Sequence, residues 1–428
     1  MTLKTRKSKH EAGSALVVTL FMTTAILIGL GSYLLLVRAQ YVSVMRSQAW
    51  NGALTSAESG VEEAMAQLNP GALAANITVD RTGNGWGLPV GGFYGPVSRS
   101  LSTNNSYSVV FSSGNWPSVY STGYVTLPDI SATLRRVICV ATTNVPLYNF
   151  ALAARTNITM KGNGLTVDSF DSSKTNLSTS GRYDSSKTTT NGDVAVLYGT
   201  LDPGNHNISG DVYLGPTASF SSVGSISGKV YSDYNYDFPD VALPDTSGWF
   251  PLLIPPGGTV NGTSYTYAFT NSGTFTFVIP NMSSSASIYV GTNANVSMLI
   301  QNGGVGSVLV GGNGATNAGK LTMYVSASSF TLGGSGVVDG GKAANLAYYG
   351  LPGNTSLTLN GNASFTGTIY APDADFTMNG GGSSSYDFVG SGICKSITFN
   401  GHFMFHFDES LLTSGASRGY FAVSWNEL

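Results

Sequence analysis

The sequence predicts an α+β chain: a long N-terminal helix that spans a membrane, a small antiparallel sheet, and a large all-β region wound as a parallel β-helix or solenoid rather than as a sandwich.

 Three observations carry this expectation. No charged residue occurs from Ala12 to Val37. The stretch that follows keeps apolar residues at helical spacing as far as Leu68. From about Val145 onward, short apolar pairs are punctuated by Gly, Asn and Ser roughly every five to eight residues, closer than the strand spacing of a sandwich.

The uncharged run is taken first. As a helix it exceeds the roughly 30 Å hydrocarbon core of a bilayer. It is too long for a cleaved secretory signal, whose apolar stretch is about 7 to 15 residues. Lys4, Arg6, Lys7 and Lys9 precede it, and such a basic flank stays in the cytoplasm. Everything after Arg38 is therefore expected outside. Composition agrees: only 10% of the 428 residues are charged, 54 are Gly, and the net charge is -3. With four of the 20 basic residues in the first nine positions, no basic field is left to attract nucleic acid. A content of 42% hydrophobic residues argues for a folded exported part.

Beyond Val37, residues Tyr41, Val44, Met45, Ala49, Leu54, Ala57, Val61, Ala64, Met65 and Leu68 recur at spacings of mostly three to five. Glu58, Glu62 and Glu63 fall between them, and Asn69-Pro70-Gly71 ends the helix. One helix of about 55 residues results, half in lipid and half outside. A simple anchor needs no such rigid extension.

The basic leader, Gly13 before the apolar run, the membrane-length helix and "SAESGVEEAMAQLN" together resemble the N-terminus of type IV pilins, specifically the PilX-like minor pilins, over about residues 4 to 69. The resemblance implies cleavage by prepilin peptidase between Gly13 and Ser14, with methylation of the new terminus at Ser14. It further implies other pilins, the pilus assembly machinery and the inner membrane as partners, with a final place in the periplasm or outside the cell. Most pilins carry glutamate as the fifth residue after the cut; here that residue is Val18. In the family this glutamate meets the amino terminus of a neighbouring subunit, since a carboxylate in lipid needs a partner. Its replacement by Val18 implies a minor, priming or tip subunit of a pilus or pseudopilus.

The expected domains are a leader over 1–13, the helix over 14–69, a loop and pilin-like sheet over 70–144, a Gly/Asn-rich β-helix-like domain over 145–412, and a C-terminal strand or tail over 413–428. Within the first of the β regions, "NSYSVVFSS", "SVYSTGYVTL" and "ATLRRVICVATT" predict three strands, with 70–104 as their connecting loop. Pro239, Pro244, Pro251, Pro255 and Pro256 mark Asp233–Gly262 as an excursion from the solenoid. The run containing "IYAP", "KSITFNG" and "HFDESL" resembles the Gly/Asn-rich β-domain attached to PilX-like N-termini, a resemblance that implies an architecture and no activity.

Candidate chemistry is sparse. Cys139 and Cys394 are free to form a disulfide in an oxidising compartment or to remain separate buried thiols. His402, Met404, His406 and Asp408 alternate, but imidazoles about 13 Å apart on an extended strand do not share a metal, so a polar solvent-facing stripe is expected. Asp373 and Asp375 in "APDADF" have the spacing of paired carboxylates, yet turn-forming aspartates have it too. No GxSxG, HExxH or P-loop occurs. The expectation is a non-enzymatic chain with no metal or cofactor, displaying a β-domain for assembly priming, adhesion or capture of a surface ligand or glycan. A membrane-anchored cell-envelope β-helix outside any filament, and a polysaccharide-active enzyme on a β-helix scaffold, are the alternatives.

Overall fold

The computed structural model describes residues 11–69, 82–114, 116–128, 132–161, 165–221, 224–311, 318–339, 342–360, 364–380 and 386–428. The expected leader lies outside them except for its last three residues. The chain forms two compact units. Unit 1 comprises residues 1–69, 79–143 and 420–428, and unit 2 comprises residues 70–78 and 144–419.

Unit 1 is built on helix α1 (Glu11–Leu68), continuous through both the uncharged run and the stripe. Four strands, β1 (Phe93–Ser100), β2 (Asn105–Ser112), β3 (Ser118–Leu127) and β4 (Ala132–Pro146), form an antiparallel meander. The C-terminal strand Ser417–Glu427 adds a fifth beside β4. Strand β1 corrects the expectation of a loop over 70–104: the backbone of "FYGPVSRS" pairs antiparallel with β2, with the register shift between Tyr94 and Val97 accommodating its glycine and proline. The stripe faces the sheet, where Ala57, Val61 and Ala64 are buried against Tyr107, Val109, Val119, Ile138 and Val140, and Ala49 and Ala53 against Val125 and Leu127. Small residues let the helix approach closely. At Gly123 of β3 a Cβ would stand 2.0 Å from the carbonyl oxygen of Ala53, so only glycine fits the crossing.

Unit 2 is built on one large sheet whose described strand pairings are all parallel, with a small antiparallel pair, Gly258–Val260 and Thr263–Tyr265, apart from it. Its first tier, Leu152–Ala154, Ile158–Met160 and Thr166–Phe170, carries a second, Val194–Val196, Thr200–Asp202 and Asn207–Ile208. The next tier follows at an 18-residue interval, with Val194 beside Val212 and Val212 beside Val230. "GDVAV", "GDVYL" and "GKVYS" open at Gly192, Gly210 and Gly228, where a Cβ on Gly228 would meet the Gly210 carbonyl oxygen at 2.5 Å.

Residues 232–249 then run without a strand, within the proline-rich stretch. The chain re-enters at Phe250–Pro251 and builds tier on tier up to Tyr386–Phe399. That strand pairs with Phe365–Asn379 on one side and with the first tier, Leu152–Ala154 and Ile158–Met160, on the other. The first tier is therefore enclosed between two halves of the stack. Apolar side chains fill the interior in columns; Phe365, Phe388 and Phe405 stack at centroid distances of 4.4 and 4.3 Å.

Candidate functional site

Helix α1 is the first candidate, as an assembly surface. It is long and apolar enough to cross a membrane, and its most apolar window is not buried within the structure at all. Gly13 and Ser14 fall within its first turn. Val18 is 55% exposed, along with Leu16, Leu20 and Phe21. From Ala49 onward the same helix is covered by the unit 1 sheet. A single element thus presents a bare apolar half and a packed half.

The packed half is fixed by Glu63. Its carboxylate accepts hydrogen bonds from Arg99 Nη2 at 2.8 Å, Tyr107 Oη at 2.5 Å and Trp86 Nε1 at 3.3 Å. Burial works to raise the Glu63 carboxyl, but the Arg99 and Tyr107 bonds outweigh it and hold the group below its ordinary value. The same burial and the facing carboxylate push Tyr107 up to about 12. Glu63 belongs to the "ESGVEEA" stretch, yet its spacing alone did not separate it from Glu58 and Glu62, because the partners come from residues 86 to 107.

The second candidate is the cluster around His406, on the strand Phe403–Asp408 that pairs with Thr166–Phe170 of the first tier. The alternating His402, Met404, His406 and Asp408 were expected to face solvent. His402 and Met404 are half-buried, but His406 and Asp408 are completely buried. The physical reason is the segment 171–191, which covers this end of the strand. Tyr183 stacks on the imidazole at 3.5 Å between ring centroids and donates to Asp168 Oδ2 at 2.9 Å. His406 Nδ1 lies 2.5 Å from Asp168 Oδ1, and Nε2 lies 3.4 Å from Asp387 Oδ1. Burial alone would push the imidazole down; the two carboxylates outweigh it, so His406 sits above its ordinary value.

Asp408 Oδ1 accepts from the backbone N–H groups of Ser172 and Ser410 at 3.0 and 3.1 Å, while burial raises its carboxyl. Glu409 accepts from Ser169, Thr189 and Asn191, tying the far end of the covering segment to the strand, as Asp408 ties its start through Ser172. This is a latch made of side chains, closed to solvent at its imidazole. Among the described residues no group of three or more His, Cys, Asp or Glu is arranged to hold a metal ion.

Asp373 and Asp375 lie on the strand Phe365–Asn379, at an irregularity between Ala371 and Asp375. Each has its own cation: Asp373 meets Arg155 at 2.5 Å, and Asp375 meets Lys395 at 3.1 Å. Arg155 also bridges to Asp240 at 2.6 Å, tying the strandless segment to the stack. Cys139, on β4 in unit 1, and Cys394, on Tyr386–Phe399 in unit 2, are both free thiols. Burial pushes the Cys394 thiol up, which removes its nucleophilic form near neutral pH.

A family model described as a domain of unknown function (DUF7305) matches residues 281–414, less than half of the chain. No curated protein matches. Among solved structures, the chain is similar to the crystal structure of an ice binding protein from an Antarctic Biological Consortium, at 15% identity and a TM-score of 0.27, over 62% of this chain and 91% of that one. It is also similar to the crystal structure of the competence-associated pilin ComZ from Thermus thermophilus, at 11% identity and a TM-score of 0.24, over 89% of this chain and 98% of that one.

Proposed function

We propose that this chain is a minor, PilX-like pilin subunit. Prepilin peptidase removes the basic leader after Gly13 and methylates Ser14, and α1 then packs among the helices of other pilins in a type IV pilus or related filament. The observation that carries this reading is the double use of one continuous helix, bare and apolar through the membrane-length half and built into a sheet through the other. An anchor needs only the first half. A subunit extracted from the membrane into a filament needs a rigid join between the packing helix and its folded cargo.

Val18 favours a place at the tip. A carboxylate there would pair with the terminal amine of the subunit ahead, and a tip subunit has none ahead. The in-register parallel pairings of unit 2, with apolar columns inside, support its reading as a parallel β-helix. Its role is display, for priming, adhesion or partner binding, and no catalytic step is assigned to it. The chain resides in the inner membrane before assembly and outside it afterwards.

The test is mass spectrometry of the N-terminal peptide from native cells with and without the prepilin peptidase. A methylated terminus at Ser14 that disappears in the peptidase mutant is expected. A chain still carrying its leader in both strains refutes the reading and leaves a single-pass envelope protein.

A further inference from the structure

One hexapeptide recurs five times in unit 2: "SFTLGG" from Ser329, "SLTLNG" from Ser356, "DFTMNG" from Asp375, "SITFNG" from Ser396 and "NITMKG" from Asn157. The parallel pairings set the five copies side by side and in register. Thr331 lies beside Thr358, Thr358 beside Thr377, Thr377 beside Thr398, and Thr398 beside Thr159. The second residue of every copy points inward and is fully buried: Phe330, Leu357, Phe376, Ile397 and Ile158. The first, third and fifth residues face outward, as strand alternation requires.

The outer face is therefore a lattice of three columns, with Ser329, Ser356, Asp375, Ser396 and Asn157 on one flank and the five threonines in the centre. The other flank holds an asparagine ladder bonded to itself, Asn379 Nδ2 donating to Asn360 at 3.0 Å and Asn400 Nδ2 to Asn379 at 3.1 Å. The threonines are different. All five are half-exposed, and among the described residues none of their hydroxyls makes a hydrogen bond. Other threonines of the unit do: Thr355 donates to Ser328 and Thr368 to Leu346, each at 3.2 Å. Of the outward positions only Asp375 and Lys161 are charged, and Asp375 is neutralised by Lys395. Strand propensity favours threonine at any one site, but not the same uncharged residue at the centre of five adjacent strands.

We propose that this lattice is the binding face for a neutral polysaccharide. Its hydroxyls recur at about 4.8 Å across the strands, and each can both donate and accept. A chain of sugar rings offers the same two-way chemistry at a regular interval, so one polymer engages several threonines at once and weak single contacts add. A phosphate polymer finds no cluster of cations here. The proposal rests on this face alone and not on the filament reading, so an uncut leader would leave it standing.

The full-length protein, in a zwitterionic detergent free of sugar, is passed over microcrystalline cellulose and over chitin, with alginate as the anionic control. The wild type is retained on a neutral matrix. The triple variant Thr358→Val, Thr377→Val, Thr398→Val keeps side-chain shape and melts as the wild type does, yet its retention falls about tenfold or more, as expected for losing several hydrogen bonds. Thr377→Lys, which sets one charge at the centre, lowers retention as well. Equal retention of the wild type and both variants overturns the proposal, as does failure of the wild type to bind either neutral matrix. Reshaping of growing ice crystals by the wild type without retention on glycan also overturns it, assigning the free hydroxyls to ordered water.

Discussion

Replacing His406 by leucine tests the latch between the last tier and the first. The imidazole is fully buried, and its closer partner, Asp168, is only 16% exposed. Leucine leaves that carboxylate with the Tyr183 hydroxyl as its remaining described side-chain partner. Breaking a buried pair in this way costs about 3 kcal/mol or more. The Asp387 contact is longer and its carboxylate is 47% exposed, so Asp387→Asn falls in the surface class, under about 1 kcal/mol. Hydrogen exchange of peptides covering Phe403–Asp408 and Thr166–Phe170 reads both, since local opening sets the rate.

His406→Leu is expected to speed that exchange about a hundredfold, and Asp387→Asn less than about fivefold. The pH dependence has a definite sign. An imidazole held above its unfolded value stabilises the seam fully below about pH 6.5, and the contribution is lost as pH rises through the folded value. The groups facing it are Asp168 from the first tier, Asp387 from the adjacent strand and Tyr183 from the covering segment. Protection, corrected for intrinsic exchange, should therefore decline in the wild type as pH rises from about 6.5 through the raised folded value, and stay level in His406→Leu. Equal effects of the two substitutions, or a flat wild-type profile, would refute the assignment of a charged latch.

Other expectations concern unit 1 and the buried thiol. Glu63→Ala strands Arg99 and Tyr107 and should lower the unfolding midpoint in urea, with a loss of about 1 to 3 kcal/mol. Because the Glu63 carboxyl sits below its ordinary 4.5, its stabilisation is present above that value and disappears as pH falls through the folded value, so acid unfolding of the variant should be shallower. Gly123→Ala drives a methyl into the Ala53 carbonyl and should cost about 3 kcal/mol or force α1 off the sheet, seen as faster exchange of residues 49–68. Cys394 should resist a thiol reagent in the native protein and react once urea opens unit 2.

Helix α1 was legible because two periodic signals, an uncharged run and a helical stripe, meet without a break. Strand β1 was not, since Gly91, Gly92 and Gly95 carry the signature of a loop and its partner lies further along the chain. Unit 2 shows its strands through alternating apolar residues, but their stacking order depends on which strand finds which across more than two hundred residues. The 18-residue spacing of Gly192, Gly210 and Gly228 and the five hexapeptides were open signals, visible once stretches are aligned to one another rather than read singly. The burial of His406 and Asp408 was hidden for another reason. The covering segment, "DSSKTNLSTSGRYDSSKTTTN", carries a single aliphatic side chain, Leu177, and holds its place by side-chain hydrogen bonds, which hydrophobic patterning does not register.

The enclosed first tier constrains the order in which the chain can fold. As the chain is made in sequence, residues up to about Tyr231 can stack on one another, yet the opposite edge of Leu152–Ala154 has no neighbour until Tyr386–Phe399 arrives. The sheet of unit 1 likewise awaits Ser417–Glu427. Contacts this distant in sequence make closure slow, and an open strand edge in the interval invites pairing with another chain. A chain interrupted before Tyr386–Phe399 would therefore carry open strand edges in both units, so that residues 386–428 act as the closing seam of the fold.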